Sequence, residues 1–183
     1  PSAVDAAVAA GLDDVGENYA QEAVAKLTEI TTTPTVHFIG RLQRNKVRLL
    51  APHVDVWQTV DRPELATEIA KRAPGAKVMI QVDISGEENK GGCGPDTTED
   101  LVMHATDAGL EVIGLMGVAL LAEPQAARPG FSVLRRLVDR LNLDECSMGM
   151  STDWKEAAEA GSTWLRIGSA LFGPRLVSTD AAN

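Results

Sequence analysis

Two stretches near the C-terminal end, SMGMSTDW (147–154) and WLRIGSALFG (164–173), hold residue types that could grip a phosphate. Glycines let backbone N–H groups come close to an anion, Ser147, Ser151 and Ser169 offer hydroxyls, and a helix start near Thr152–Trp154 would add its free N–H groups. Gly and Ser also make ordinary turns. Arg166 tips the balance, because it stands among Trp164, Leu165, Ile167, Leu171 and Phe172, which read as core. A guanidinium in such surroundings costs on the order of several kcal/mol to desolvate unless an anion meets it. Two small-residue loops with an arginine between them therefore point to a phosphate site.

Other residues carry weaker signals. GENY (16–19) places Asn18 after a short strand, where it serves either as a turn or cap asparagine or as a polar contact at the strand end. His37 lies within an apolar strand, with no carboxylate or second histidine at ligand spacing, so it reads as a hydrogen-bonded core residue. Arg41, Arg44, Lys46 and Arg48 form a basic run that reads as a solvated helix start. SGEENKGGCG (85–94) matches neither GxxxxGK[ST] nor GxGxxG and reads as a mobile loop. Cys93 within it has no identifiable base to make it a nucleophile, and Cys146, on a core strand, reads as buried.

The elements that would position these residues alternate along the chain. Strands are read around Val15 and over 36–40, 54–60, 77–84, 111–120, 145–150 and from Trp164 onward. Helices are read over 2–10, 19–30, 63–73, 98–108, 131–141 and 154–160. Strands alternating with helices imply βαβ units and a parallel sheet, either doubly wound or closed into a barrel. A (β/α)8 barrel needs eight strands and typically about 250 residues. Here seven strands are legible in 183 residues, and the sequence opens inside a helix. A first strand upstream of Pro1 would account for both.

Composition narrows the function classes. A hydrophobic fraction of 44% suffices for a sizeable core, and no Pro/Ser-rich linker divides the chain. A net charge of -9 argues against a large nucleic-acid or anionic-membrane surface, while leaving room for a small anion in a local positive pocket. Two cysteines without metal-ligand spacing and three scattered histidines suggest a reduced, cytoplasmic setting without structural zinc. No apolar run is long enough to span a bilayer, and the opening residues do not read as a signal peptide.

Taken together, GENYAQE, HFIGRLQRNK, QVDISGEENKGG, GLMGVA, SMGMSTDW and RIGSALFG resemble the pyridoxal 5′-phosphate homeostasis protein family, also called the YggS/PROSC family. The likeness runs in order through nearly the whole chain, with a more distant similarity to the N-terminal barrel of alanine racemase. The resemblance implies an α/β fold, a TIM-like (β/α)8 barrel lacking its first strand here, with residues 1–183 as a single domain that binds pyridoxal 5′-phosphate (PLP). It implies that Arg166 faces the pyridine nitrogen, that Ser151, Gly168 and Ser169 hold the phosphate with Met150 packing nearby, and that Asn18 approaches the ring or its substituents.

One departure stands out. The family's Schiff-base lysine would fall just ahead of Pro1, and Lys46, Lys90 and Lys155 do not occupy its position. The leading expectation is a PLP carrier without strong catalytic activity, serving apo-PLP enzymes as a monomer or weak dimer. A PLP-dependent racemase or lyase is the alternative, although Tyr19, the only tyrosine, is no obvious second base. A barrel enzyme acting on a phosphorylated sugar or nucleotide is a third possibility, resting on fold and phosphate loops alone.

Overall fold

The computed structural model describes residues 2–86, 91–119 and 123–173. Its strands are short runs of β-branched and apolar residues bounded by turn residues, and its helices open or close on Pro and Gly as local chemistry requires. In chain order the elements are α1 (Ser2–Ala9), β1 (Asp14–Glu17), α2 (Ala20–Leu27), β2 (Thr35–Phe38), α3 (Val47–Leu50), β3 (Val56–Val60), α4 (Pro63–Arg72) and β4 (Lys77–Val82). There follow α5 (Thr98–Asp107), β5 (Glu111–Gly117), α6 (Arg128–Arg140), β6 (Glu145–Met150), α7 (Trp154–Glu159), β7 (Trp164–Arg166) and α8 (Ser169–Phe172).

All seven strands lie in one parallel sheet in sequential order, β1-β2-β3-β4-β5-β6-β7. Parallel strands need a crossover between them, and the intervening helices supply it. The sheet curls into a nearly closed barrel: a single cavity at the strand N-terminal ends touches Asp14 of β1, His37 of β2, Val56 of β3, Lys77 of β4, Ile113 of β5, Glu145 of β6 and Trp164 of β7. The rings of His37 and Trp164, from β2 and β7, lie 4.8 Å apart edge to face, so strands from the two sides of the sheet meet across the barrel interior.

Alternation along the strands splits the apolar residues into two layers. Trp57, Val78, Ile80, Val82, Leu115, Cys146 and Met148 pack outward with helix residues such as Leu65, Ile69, Leu101, Phe131 and Leu134. Val56, Met79 and Met116 form a smaller inner cluster, with Ile113, Val118 and Trp164 against it. The outer layer is the main core, as expected for a barrel whose helices cover the sheet.

Most element boundaries depart from the sequence reading by a few residues, as at α6, which starts at Arg128 instead of Phe131, and the last strand ends at Arg166, with α8 following it. The assignment of Leu165, Leu171 and Phe172 to the core is corrected: they are 40%, 52% and 56% exposed. Strand β7 has only three residues and pairs with a strand on one side alone among the described residues, which leaves its outward side chain and the single turn of α8 uncovered. Glu87–Lys90 lie outside the described residues, and with them the mobile-loop reading of that stretch and the position of Lys90.

Candidate functional site

The loops after β6 and β7 meet at the C-terminal end of the barrel. β6 carries one residue more than β7 between two registered pairs, Ser147 with Trp164 and Met150 with Arg166. Such a bulge re-aims the residues that follow it. Gly149 occupies it with φ of 90°, and a Cβ there would fall 2.4 Å from that of Ala157, so only glycine fits. Past the bulge the chain turns: the Met150 N–H donates to Asp153 Oδ1 at 2.6 Å, and the Asp153 N–H donates back to the Met150 carbonyl at 3.2 Å.

Ser151 ties this turn to the next loop. Its Oγ accepts the backbone N–H groups of Gly168 and Ala170, both at 3.2 Å. Ser169 opens α8, with Gly168 as its N-cap. A Cβ on Gly168 would meet nothing within 4 Å, so open space adjoins these donors. The structure thus brings Met150, Ser151, Arg166, Gly168 and Ser169 together on two neighbouring strand ends.

Arg166 points inward from β7. Its Nη1 donates to Ser147 Oγ at 2.7 Å and its Nη2 to the Gly117 carbonyl at 2.8 Å. Burial pushes its pKa down to about 10, against an opposing effect of the Asp153 carboxylate. It therefore remains a cation at neutral pH. Ser147 is corrected by this geometry: it is fully buried in mid-strand and holds Arg166, so it does not belong to the phosphate loop. Strand alternation with the outward Cys146 and Met148 carried that signal.

Asn18 stands apart from this group, exposed just past β1 at the same end of the barrel. A Cβ on Gly40 would fall 1.9 Å from the Asn18 carbonyl oxygen, so the chain leaving β2 passes tightly over the Asn18 backbone. His37 is 5% exposed and is a hydrogen-bonded core residue, its Nε2 lying 2.9 Å from Asp14 Oδ1. Its partner carboxylate comes from the adjacent strand, which sequence spacing could not reveal. Arg44 and Arg48 are exposed around a short 3-10 turn and α3, in keeping with a solvated helix start.

Neither cysteine is activated. Burial raises the Cys93 thiol, whose Sγ lies 3.6 Å from Thr98 Oγ1, and pushes Cys146 up to about 11. Cys93 is also pinned by its backbone, which bonds Gln81 and Asp83. Lys155 lies over the Trp154 ring, 5.6 Å from its centroid. Among the described residues no group of His, Cys, Asp and Glu could hold a metal ion. Three residues at the site escaped sequence reading: Asp153, which closes the turn after β6, and Gln58 and Gly117, which lie behind Arg166.

The family model for the alanine racemase N-terminal domain matches residues 2–175. The pyridoxal phosphate homeostasis protein of Pseudomonas aeruginosa is 42% identical over 185 residues, covering 95% of this chain and 80% of that protein. PipY of Synechococcus elongatus, solved without PLP, has a TM-score of 0.87 at 34% identity, over 94% of this chain and 87% of that one. The structure of PipY with PLP bound gives a TM-score of 0.82 at 31% identity over the same shares. With a barrel of sequential parallel strands and a desolvated arginine beside two joined loops, this chain belongs to the alanine racemase N-terminal domain family and, within it, to the pyridoxal phosphate homeostasis proteins.

Proposed function

We propose that this protein binds pyridoxal 5′-phosphate at the C-terminal end of the barrel and serves its homeostasis, keeping a reactive aldehyde shielded and deliverable to apo-PLP enzymes. The observation that carries this reading is the pairing of a half-buried cation, Arg166, with the Ser151-bridged loops on the last two strands. Relatives named pyridoxal phosphate homeostasis proteins, and PipY with PLP bound, support it.

The donors present suit the cofactor. Ser151, Gly168 and Ser169 would hold the phosphate, since the Gly168 and Ala170 N–H groups already converge on one oxygen beside open space. Met150 would pack nearby, and Asn18 would approach the ring from the other edge. When bound, PLP supplies an aldehyde and a pyridine ring able to withdraw electrons. Arg166 presents a fixed cation, which opposes protonation of a neighbouring nitrogen base because two like charges in a dry site repel. That disposition suits holding the cofactor better than strong electron withdrawal.

Residues 1–183 would act as one barrel domain, as a monomer or weak dimer, in the cytoplasm. No helix among the described residues is long and apolar enough to cross a membrane. Titrating PLP into the protein while following its absorbance, with a phosphorylated sugar as competitor, tests the reading. PLP should bind and resist displacement. Displacement of PLP by the sugar, or turnover of amino acids well above the rate with free PLP, would overturn it.

A further inference from the structure

Behind Arg166 a line of hydrogen bonds crosses the barrel interior to its opposite mouth. Ser147 Oγ, which accepts from Arg166, donates to Gln58 Oε1 at 2.7 Å. Gln58 Nε2 lies 2.8 Å from His37 Nδ1, and His37 Nε2 lies 2.9 Å from Asp14 Oδ1. Ser147, Gln58 and His37 are 0%, 3% and 5% exposed, whereas the Asp14 side chain is 68% exposed. Four strands, β7, β6, β3 and β2, thus pass one chain of polar contacts to β1.

The two ends dictate its direction. A guanidinium can only donate and an ionised carboxylate can only accept. Since Ser147 accepts from Arg166, its own proton goes to the Gln58 carbonyl, and the Gln58 amide N–H then faces His37 Nδ1. His37 must be the neutral tautomer with its proton on Nε2, donated to Asp14. Turning the Gln58 amide over would aim two donors at Ser147 and leave the serine proton without an acceptor. It would also set an unprotonated Nε2 against the Asp14 carboxylate. Only one neutral arrangement satisfies every atom, and buried polar chains of this kind hold their members in place.

We propose that Gln58 and Ser147 are positioning residues for Arg166, and that through them the tautomer of His37 and the orientation of the Arg166 guanidinium are set together. The site end and the N-terminal mouth of the barrel then form one polar unit. The cavity that His37 faces there also holds Lys77, Asp144 and Glu145, so the Asp14 end lies among charges that bear on the same line. The arrangement is a property of the free protein; its consequence for the cofactor rests on the PLP reading above.

Nitrogen-15 NMR of the free protein tests the core of the proposal. In the wild type, His37 should show a protonated Nε2 and an unprotonated Nδ1. Gln58→Glu replaces the amide donor by an acceptor while still accepting from Ser147, so His37 should gain a proton on Nδ1 while keeping the one on Nε2 that Asp14 accepts. Ser147→Ala should speed exchange of the Arg166 guanidinium protons roughly tenfold or more, and Ser147→Thr, which keeps the hydroxyl, should restore it. Backbone spectra report whether each variant is folded.

A protonated Nδ1 in the wild type, or unchanged guanidinium exchange in folded Ser147→Ala, would overturn the proposal. A second arm reads PLP. Ser147→Ala should shift the bound-cofactor absorption spectrum and Ser147→Thr should not. If wild type fails to bind PLP, the cofactor reading falls and the NMR outcome still decides the positioning role. If PLP binds and its spectrum ignores Ser147→Ala, the link to the site is overturned.

Discussion

Arg166 is held by one serine hydroxyl and one carbonyl, so among the described residues its other guanidinium N–H groups have no hydrogen-bond partner. Arg166→Ala should alter the absorption spectrum of bound PLP while far-UV circular dichroism stays native; an unchanged spectrum would exclude contact with the ring. At the phosphate end, each lost charge-assisted hydrogen bond costs roughly 1.5–3 kcal/mol. The Ser151→Ala/Ser169→Ala double variant should therefore raise the Kd for PLP by about tenfold or more, read by titration. The thiols give a prediction with a definite sign. Burial pushes Cys146 up to about 11, so at pH 8 only about a thousandth is thiolate, and the thiolate is the reactive form. Alkylation of Cys146 in the folded protein should be far slower than after denaturation, and its rate should rise with pH through that value. Fast labelling at pH 8 would show that the strand is not packed as described.

At the scale of elements, the bulge in β6 matters most, because it converts a strand into the turn that presents Ser151. Gly149 combines a positive φ with a close approach to Ala157 on α7, whereas Gly109 has a φ of 86° and open space around it. Gly109→Ala should cost about 1 kcal/mol of backbone strain, and Gly149→Ala should cost several kcal/mol through strain plus overpacking. Equilibrium urea unfolding separates them. Equal costs would mean that β6 absorbs a Cβ by shifting, and that the bulge is not pinned by α7. The same element explains a misreading. Ser147 and Ser151 stand four residues apart and looked like partners in one loop, but strand alternation buries the first and the bulge releases the second.

For the whole molecule, stability resides in the layer between sheet and helices. Ile80 is fully buried in β4 within that layer, so Ile80→Ala should cost about 2–5 kcal/mol in a cooperative transition, measured by thermal or urea unfolding. A loss below about 1 kcal/mol would place the core elsewhere. The alternation of strands and helices, the parallel sheet and the two small-residue loops were legible in the sequence. Period-2 and period-3.6 apolar patterns and Gly/Ser turns are local signals, and the family motifs added the barrel and the identity of the loops. Exposure of Leu165, Leu171 and Phe172 was not legible, since a short apolar run looks the same at a covered strand and at one paired on a single side. Nor was the line from Asp14 through His37, Gln58 and Ser147 to Arg166. Those residues span more than 150 positions of chain, and only the curl of the sheet brings their side chains within hydrogen-bond reach. Local pattern determined which elements form and where their polar loops lie; closure of the sheet, a long-range packing event, decided which polar groups face each other and hence how the arginine is held.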